Sequence, residues 1–408
     1  MGRGRPARFR PLALGLTLCL AAGACTSAGP STIRAAHVGA SFSGVGTLPR
    51  PASAWPEAGY DARDSSATRA LGPRDGHVRW VRRLTGNATP GAVIGTDGSI
   101  VQATNDGVLH DLDLRTGRDE WTFDAQASYG SDLSTSPAVL AGGTILWPGP
   151  RDTLYALSGS GRLRWTESFG GQVLSPAIAG RNRVYVADLA GHLTALTVTG
   201  EDHRRIWTID VGGPDYASAT VGQNGTIYTA SKDDLVAVRD LGASAALLWR
   251  LHTARLVEVS NAVGPDGTVV LGTNNDMEFG VTPAGKLAWA FDVHDYTYSS
   301  SIVRPNGIGY FGDNLGRLHL VDSRTGKIAQ TIAPLGAGNE SIWTSVAVDA
   351  VGDFYWATTK GNIYGYDASG RQLLHVSTQD SIDSYPALGA DGTLYVATTG
   401  GELYAIGR

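Results

Sequence analysis

The chain has 408 residues, 54 of them glycine, a formal net charge of −5 and only 17% charged residues. The acidic balance argues against a nucleic-acid partner, because proteins that bind nucleic acid neutralise phosphates with basic side chains. The only two cysteines are Cys19 and Cys25, both near the N-terminus, so the folded part uses no disulfide and no thiol catalysis.

Residues 1–25 are typical of an export leader. Four arginines precede an apolar stretch, residues 11–24, that is too short to span a bilayer. The stretch ends in LAAGAC, which resembles a bacterial lipobox, so we expect Cys25 to be lipidated and to become the mature N-terminus. Ordinary cleavage near Ala24, leaving a soluble secreted protein, is the alternative. Removing the four arginines takes the formal net charge from −5 to −9.

Three segments lead from the leader into the fold. Residues 26–54 are rich in Ala, Ser, Gly and Pro, a composition that predicts a flexible tether. Residues 55–73, WPEAGYDARDSSATRALGP, begin with an aromatic anchor, and we expect them to pack on the rim of the domain that follows. Residues 77–84, HVRWVRRL, read as an isolated strand.

From residue 92 onwards, one unit of four short strands recurs. In residues 92–125 its turns are marked by Asp97-Gly98, Asp106-Gly107 and Thr116-Gly117. A tryptophan marks the fourth strand at spacings of 41, 44, 42, 42 and 40 residues: Trp80, Trp121, Trp165, Trp207, Trp249 and Trp289. Two later copies carry Gln330 and Leu374 at this position. A period of about 40–45 residues with four strands per repeat predicts propeller blades.

A second pattern lies in the third strands. One position is almost always leucine, in the order Leu109, Leu154, Leu193, Leu235, Glu278, Leu318, Ile363 and Leu403. Two residues later the side chain is mostly small: Asp111, Ala156, Ala195, Ala237, Gly280, Leu320, Gly365 and Ala405. Small residues suit the close packing of one blade on the next, and strands that are apolar on both faces are buried on both faces.

The second and third strands occur in eight copies, but the eighth copy ends at Arg408 without a fourth strand. The isolated strand at residues 77–84 supplies the missing one. The sequence therefore predicts an all-β domain over residues 55–408, a closed eight-bladed β-propeller of four-stranded antiparallel blades in which the N-terminal strand completes the last blade.

These motifs resemble those of the pyrroloquinoline-quinone-like (PQQ-like) β-propeller repeat proteins. The resemblance rests on WPxxGxD at residues 55–61, LGP at residues 71–73 and the blade pattern GTxYxAT…GxLxALxxxxGxxxW. The family includes quinoprotein dehydrogenases and the lipoprotein scaffold of the outer-membrane assembly machine. The family's docking pattern DxxTGxxxW holds neighbouring blades together, and the resemblance implies this structural role for Asp113, Thr116, Gly117 and Trp121. The dehydrogenases resemble longer chains with a vicinal disulfide and a calcium-bound quinone, so we predict no cofactor, and neither calcium nor PQQ has sequence support.

In such blades, the crossovers between blades and the second-to-third turns share one face of the disc, and the crossovers ring the mouth of the central channel. Acids and aromatic residues fall on these crossovers. We predict that they form a ligand-binding mouth for a cationic or polyhydroxyl ligand, or for a partner protein. Acidic residues are also common in turns for purely structural reasons. Turn chemistry does not require the accompanying aromatic residues. The predicted site residues are Asp132, Asp215, Tyr216, Glu258, Asp295, Tyr298, Glu340, Trp343, Asp383 and Tyr385.

Other polar residues favour structural roles. Glu278 interrupts the leucine pattern. It is either a buried acid with a raised pKa or, as we expect, a side chain turned to solvent by a bulge. The same two alternatives, and the same expectation, apply to Asp111. His110 and His319 have no second ligand nearby in sequence and are expected to be packed strand residues, so no metal site is predicted. No GxSxG elbow accompanies Ser136 or Ser175, which leaves a hydrolase unsupported.

The sequence therefore favours a non-catalytic, monomeric lipoprotein of the cell envelope, in contact with the membrane only through its N-terminal lipid. It would bind an envelope protein or a small ligand at the channel mouth. The alternatives are an enzyme in that mouth, either a quinone-dependent oxidoreductase or a carbohydrate-active lyase or hydrolase, and a purely structural member of an envelope complex. The opposite face, with Asp97, Asp266, Arg115 and Arg324 in its hairpin turns, is expected to be inert.

Overall fold

The computed structural model describes residues 53–129, 135–180, 182–213, 217–253, 257, 259–273, 277–293, 298–334 and 340–407. These residues form 32 β-strands in eight sheets of four antiparallel strands, and the sheets are the blades of a propeller. Within the described ranges, no helix is long and apolar enough to cross a membrane.

Each blade has an innermost, a second, a third and a fourth strand. The innermost strands are β2 (Val93–Ile94), β6 (Ala138–Val139), β10 (Ala177–Ile178), β14 (Thr220–Val221), β18 (Ala262–Val263), β22 (Ile302–Val303), β26 (Ala347–Val348) and β30 (Ala387–Leu388). The second strands are β3 (Ile100–Ala103), β7 (Ile145–Gly149), β11 (Arg183–Asp188), β15 (Thr226–Ser231), β19 (Val269–Gly272), β23 (Ile308–Gly312), β27 (Phe354–Ala357) and β31 (Leu394–Ala397).

The two outer strands complete each blade. The third strands are β4 (Val108–Leu112), β8 (Thr153–Leu157), β12 (His192–Val198), β16 (Asp234–Asp240), β20 (Met277–Val281), β24 (Leu318–Asp322), β28 (Asn362–Tyr366) and β32 (Glu402–Ile406). The fourth strands are β5 (Asp119–Asp124), β9 (Leu163–Ser168), β13 (His203–Asp210), β17 (Ala245–His252), β21 (Leu287–Asp292), β25 (Ile328–Ile332), β29 (Gln372–Ser377) and, in the eighth blade, β1 (Val78–Arg83).

The ring closes as the sequence predicts. Strand β1 pairs antiparallel with β32, so that Trp80 lies opposite Ala405 and Arg82 opposite Leu403. The eighth blade therefore joins the two ends of the propeller. This pairing removes the two free sheet edges that an open propeller would expose.

The tryptophans of the fourth strands lock neighbouring blades together. In β21, Trp289 lies opposite Gly280 of its own blade, and a Cβ at Gly280 would meet the indole at 2.1 Å. The indole Nε1 donates a hydrogen bond of 2.8 Å to the carbonyl of Ser323 in the next blade, and its ring covers Gly326, which adopts a φ of +67°. The small residue at position 280 thus makes room for the tryptophan of its own blade. The sequence pattern predicts instead that it makes room for the next blade.

The docking motif DxxTGxxxW serves two different interfaces. The Asp113 carboxylate accepts hydrogen bonds from the backbone N–H and the hydroxyl of Thr116, which shapes the turn. Gly117 of this turn lies under Trp80 of the preceding blade. Trp121 reaches forward and donates from Nε1 to the carbonyl of Gly159, at 2.9 Å, in the following blade. The four residues have the structural role that the family resemblance implies.

Residues 55–68, called here the channel segment, lie against the innermost strands and not on the rim, where we had expected them. The second residues of six innermost strands donate their backbone N–H to six of its carbonyls: Ile94 to Trp55, Val139 to Pro56, Val221 to Ala62, Val263 to Arg63, Val303 to Asp64 and Val348 to Ser66. Each innermost strand is an edge strand of its described sheet. Its inner N–H is therefore available to pair with the channel segment. The channel segment therefore closes the channel at the face of the first-to-second turns, called here the hairpin face.

Candidate functional site

The central cavity lies between the channel segment and the opposite, crossover face of the propeller. Its volume is about 760 Å³. Four carboxylates of the described residues line it: three come from the channel segment and one from the crossover into the eighth blade, namely Glu57, Asp61, Asp64 and Asp383. Tyr298, Trp343 and Tyr385 contribute aromatic rings. Among the described residues that line this cavity there is no lysine and no arginine, so any charge that this lining carries is negative.

A column of serines forms the wall. The residue two positions before the innermost strand is serine in six blades: Ser136, Ser175, Ser218, Ser260, Ser300 and Ser345. The hydroxyl of one blade accepts a hydrogen bond from the backbone N–H at the same position in the preceding blade, as Gly91 to Ser136 and Ser136 to Ser175, both at 2.9 Å. The hydroxyls therefore both join the blades and give the cavity a polar lining. Sequence analysis missed this column, although the repeat register contains it.

Two acids of the channel segment are held in conditions that disfavour ionisation. Glu57 is buried, which raises its pKa well above the ordinary value; the Ile178 N–H, 3.2 Å from Oε2, opposes this shift, and Asp61 and Asp64 add to it. The pKa of Asp64 is also raised well above its ordinary value, first by burial and then by the charge of Asp61. A Cβ on Gly59 would come within 1.8 Å of Asp64 Oδ1, so the local backbone folds tightly around this carboxylate.

Asp61 and Asp383 complete the acidic lining. Asp61 Oδ2 forms an ion pair of 2.9 Å with Arg63, and its Oδ1 accepts the N–H groups of Arg63 and Ser65. Burial raises the pKa of Asp383, while the Ser381 hydroxyl, 3.1 Å from Oδ1, lowers it. Three of the four acids thus have raised pKa values, and a bound cation would favour their ionised forms.

The aromatic residues surround the cavity from different blades. The rings of Tyr298 and Trp343 pack at 5.5 Å with an interplanar angle of 63°, and Trp343 remains 41% exposed. Tyr385 starts in the eighth blade and reaches the sixth, where its hydroxyl lies 2.5 Å from Ser300 Oγ. Burial raises the pKa of Tyr385 to about 12, so this phenol stays protonated and can donate a hydrogen bond.

The structure brings together four of the predicted site residues and separates one. Tyr298, Trp343, Asp383 and Tyr385 line the cavity. Glu340 does not: it is buried within the seventh blade, where Oε2 accepts hydrogen bonds from Thr358 and Asn362, both at 3.0 Å. Outside the described residues lie Asp132, Asp215, Tyr216, Glu258, Asp295 and the predicted lipidation site Cys25.

The channel-segment acids are the residues that sequence reasoning missed. Asp61 belongs to the WPxxGxD motif, and Glu57 and Asp64 lie beside it. The signal available in the sequence was the density of acids, three within eight residues next to an aromatic anchor. The repeat register could not place them, since this segment precedes the repeats and its position depends on long-range hydrogen bonds.

The expectation that Glu278 turns to solvent is wrong. Its side chain is 0% exposed, Oε1 accepts a hydrogen bond from the Ser301 hydroxyl, and Oε2 has no partner among the described residues. Burial raises the Glu278 pKa to about 8. Asp111 is likewise buried, and its pKa is raised to about 7 although the Ser99 hydroxyl lies 2.6 Å from Oδ1. Neither residue lines the central cavity.

The histidines behave as packed strand residues. His110 is buried with Nδ1 at 2.9 Å from Asp119, and His319 is buried with Nε2 at 3.1 Å from Asp313. One cluster that sequence analysis did not consider has ligand atoms within 4.8 Å of one another: Asp233, Asp234 and His252. Arg250 already donates to Asp234 at 2.8 Å, so this surface cluster is explained by its own ion pairs.

Comparisons with known proteins agree with this architecture. A family model described as outer membrane protein assembly factor BamB matches residues 105–332, more than half of the chain. The solved structure of quinohemoprotein alcohol dehydrogenase from Comamonas testosteroni is similar with a TM-score of 0.69 and 14% identity, over 89% of this chain and 82% of that one.

Two further structures are similar over most of their length. BamB from Moraxella catarrhalis has a TM-score of 0.63 and 12% identity, over 81% of this chain and 99% of that one. Sqt1 from Saccharomyces cerevisiae has a TM-score of 0.68 and 12% identity, over 83% and 99%. No curated protein sequence matches significantly. These likenesses show the fold, and the family match shows that the chain belongs to the PQQ-like β-propeller family described as outer membrane protein assembly factor BamB.

Proposed function

We propose that the protein is a non-catalytic binding module of the cell envelope and that its ligand is an organic cation, or a basic group of a partner protein, held in the central cavity. The observation that carries this proposal is the lining: four carboxylates face one cavity that has no described lysine or arginine. Clustered charges of one sign attract the opposite charge and reject their own.

Such a ligand would enter the cavity from the crossover face. The channel segment occupies the hairpin end, where it pairs with the innermost strands. At the other end, Tyr298 and Trp343 offer flat rings that suit a cation or the edge of a sugar. The serine hydroxyls add acceptors and donors, so a ligand carrying both amine and hydroxyl groups would match the wall.

A partner protein is the second candidate, and the exposed indole of Trp343 favours it. Exposed tryptophans next to charged residues are typical anchors of protein interfaces. The family match to an assembly factor agrees with this role. In that case a lysine or arginine of the partner would enter the cavity, and Trp343 would be covered by the partner's surface.

The quinone-dependent alternative is not favoured by the lining. PQQ carries several carboxylates, and a site for it needs positive groups or a metal ion to hold them. The described lining offers four acids and no basic side chain, so it matches a cation and would repel the carboxylates of PQQ unless a metal ion lay between them. We therefore derive no redox step for this protein.

We further propose that export and lipidation at Cys25 hold the protein at a membrane surface. The support is the sequence alone: an arginine-rich start, a short apolar stretch and LAAGAC. The acidic mature chain would then contact the membrane only through its lipid.

The binding proposal is tested by titrating the protein with spermidine, a neutral trisaccharide and citrate in a calorimeter. We expect spermidine to bind, and Asp383→Asn to weaken it by about tenfold, the order expected for losing one charge in a partly buried site. Asp266→Asn is the matched control, because it makes the same change in an exposed turn of the hairpin face. Binding of citrate in preference to spermidine, or equal effects of the two variants, would contradict the proposal.

A further inference from the structure

A second cavity lies on the other side of the channel segment, at the hairpin face. Its volume is about 980 Å³, and the described residues of its wall include Arg63, Arg69 and Arg304 but only one acid, Asp61. The channel segment thus separates two cavities of opposite charge. The chain as a whole is acidic, so three arginines around one cavity are not explained by composition.

Arg304 is an exception within the repeat. It follows the innermost strand β22 directly, and the same position in the other blades is Gly95, Leu140, Ala179, Gly222, Gly264, Asp349 and Gly389. Four of the eight are glycine, so the turn itself does not need a long basic side chain. The repeat architecture therefore gives no reason for this arginine.

The charge of Arg304 has no carboxylate partner among the described residues. Its Nη2 lies 3.5 Å from the backbone carbonyl of Asp349, its side chain also forms a hydrogen bond with Tyr310, and its buried Nε has no hydrogen-bond partner among the described residues. The nearby Asp349 carboxylate is already engaged: Oδ1 accepts three backbone N–H groups and Oδ2 accepts that of Gly72. A buried donor without an acceptor is unfavourable, so this part of the chain would gain from a nearby anion.

The other two arginines of this cavity are Arg63, in the channel segment, and Arg69, the residue that follows it. Arg63 uses Nη2 for Asp61, but its Nε is buried without a partner. Arg69 is exposed and forms no ion pair with a described residue. Both arginines act on Tyr60, which lines the same cavity, and lower its pKa against the larger effect of burial. The hydroxyls of Ser65 and Thr68 add neutral donors to the wall.

We propose that this cavity is an oxyanion site that binds a phosphate group through the guanidinium groups of Arg63, Arg69 and Arg304. The planar guanidinium presents paired N–H donors that match the oxygens of phosphate, and several such groups satisfy one tetrahedral anion. The expectation that the hairpin face is inert is thereby replaced. The phosphate is either free in solution or part of a lipid headgroup, and Ser53, the first described residue, lies on the same cavity.

The test is a calorimetric titration of the full-length protein with two probes, inorganic phosphate and a short-chain phosphatidylglycerol below its micelle concentration. We expect Arg69→Gln and Arg304→Gln each to weaken binding of the better probe at least tenfold, and Arg304→Lys to weaken it less because it keeps the charge. Tighter binding of the lipid identifies a headgroup site, and equal or tighter binding of phosphate identifies a soluble anion; both support the proposal.

The controls separate this site from the central cavity and from misfolding. Arg115→Gln changes an exposed arginine of the same face outside the cavity and should leave binding unchanged, as should Asp383→Asn. Arg69 is exposed, so we expect the Arg69→Gln variant to fold normally even if Arg304→Gln destabilises the protein. Failure of both probes to bind, or binding that Arg69→Gln leaves unaltered, would overturn the proposal.

Discussion

Glu278 provides a sharp test of the blade packing. It occupies the leucine position of the third strand in the fifth blade, fully buried, with one carboxylate oxygen paired to Ser301 and the other unpaired. Glu278→Gln keeps the size and the contact with Ser301 but cannot ionise. The substitution therefore isolates the cost of a charge between two blades.

The expected effect follows from the pKa. Burial raises the Glu278 pKa from 4.5 to about 8, so the folded protein binds a proton that the unfolded chain releases. The contribution of protonated Glu278 to the free energy of unfolding is fully present below pH 4.5, and it is lost as the pH rises through 8. Over this window the free energy of unfolding should fall by about 1.4 kcal/mol per pH unit from this one group. Between pH 5 and pH 7 the loss is about 3 kcal/mol.

Urea unfolding of both proteins at pH 5, 6, 7 and 8 measures this loss. The difference between Glu278→Gln and the unaltered protein should grow in favour of the variant as the pH rises, because other buried acids contribute equally to both. Glu201→Gln, at an exposed position, is the control and should show no such growth. A constant difference across the pH range would refute the buried, protonated state of Glu278.

Three further predictions concern the fold and the anchor. Trp289→Ala should destabilise the protein by about 3–5 kcal/mol in urea unfolding, since it removes a buried indole and its bond to Ser323, whereas exposed Trp343→Ala should cost far less. Deleting residues 77–84 should abolish the soluble monomer in size-exclusion chromatography, because it opens the ring, whereas deleting residues 26–52 should not; equal behaviour of the two deletions would contradict the closure. Cys25→Ala should release the protein from membranes or leave the leader uncleaved, and a mature N-terminus downstream of Cys25 in mass spectra would reject lipidation.

Most of the fold could be predicted from the sequence repeat. Eight blades, the closing strand and the tryptophan positions follow from periodicity, because each blade repeats the same local turn chemistry and the same alternation of buried residues. The role of the small residues was only partly predictable. Their partner, the tryptophan of the same blade, depends on the bulge that shifts the register between the third and fourth strands, as at Gly280.

The site was less predictable, for identifiable reasons. Tyr298, Trp343, Asp383 and Tyr385 were found because topology puts crossovers near the axis. Glu340 lies on a crossover too, but its carboxylate turns into the blade, where Thr358 and Asn362 donate to it. Direction within a loop is set by such side-chain contacts, which a repeat pattern does not encode.

The channel segment was beyond the reach of periodicity. Its residues have no repeat to align with, and they are held by N–H groups of innermost strands around the ring, from Ile94 pairing with Trp55 to Val348 pairing with Ser66. The raised pKa values of Glu57 and Asp64 depend on this burial. Hence the acidic base of the cavity appeared only in the structure.

The most direct test of the central cavity is the proton balance of cation binding. Because the pKa values of Glu57 and Asp64 are raised well above their ordinary range, a bound cation should make them release protons. Spermidine titrated at pH 6 in two buffers of different ionisation enthalpy should therefore give different apparent heats, and Glu57→Gln should reduce that difference. Identical heats in both buffers, or a proton release that Glu57→Gln leaves unchanged, would contradict cation binding in this cavity.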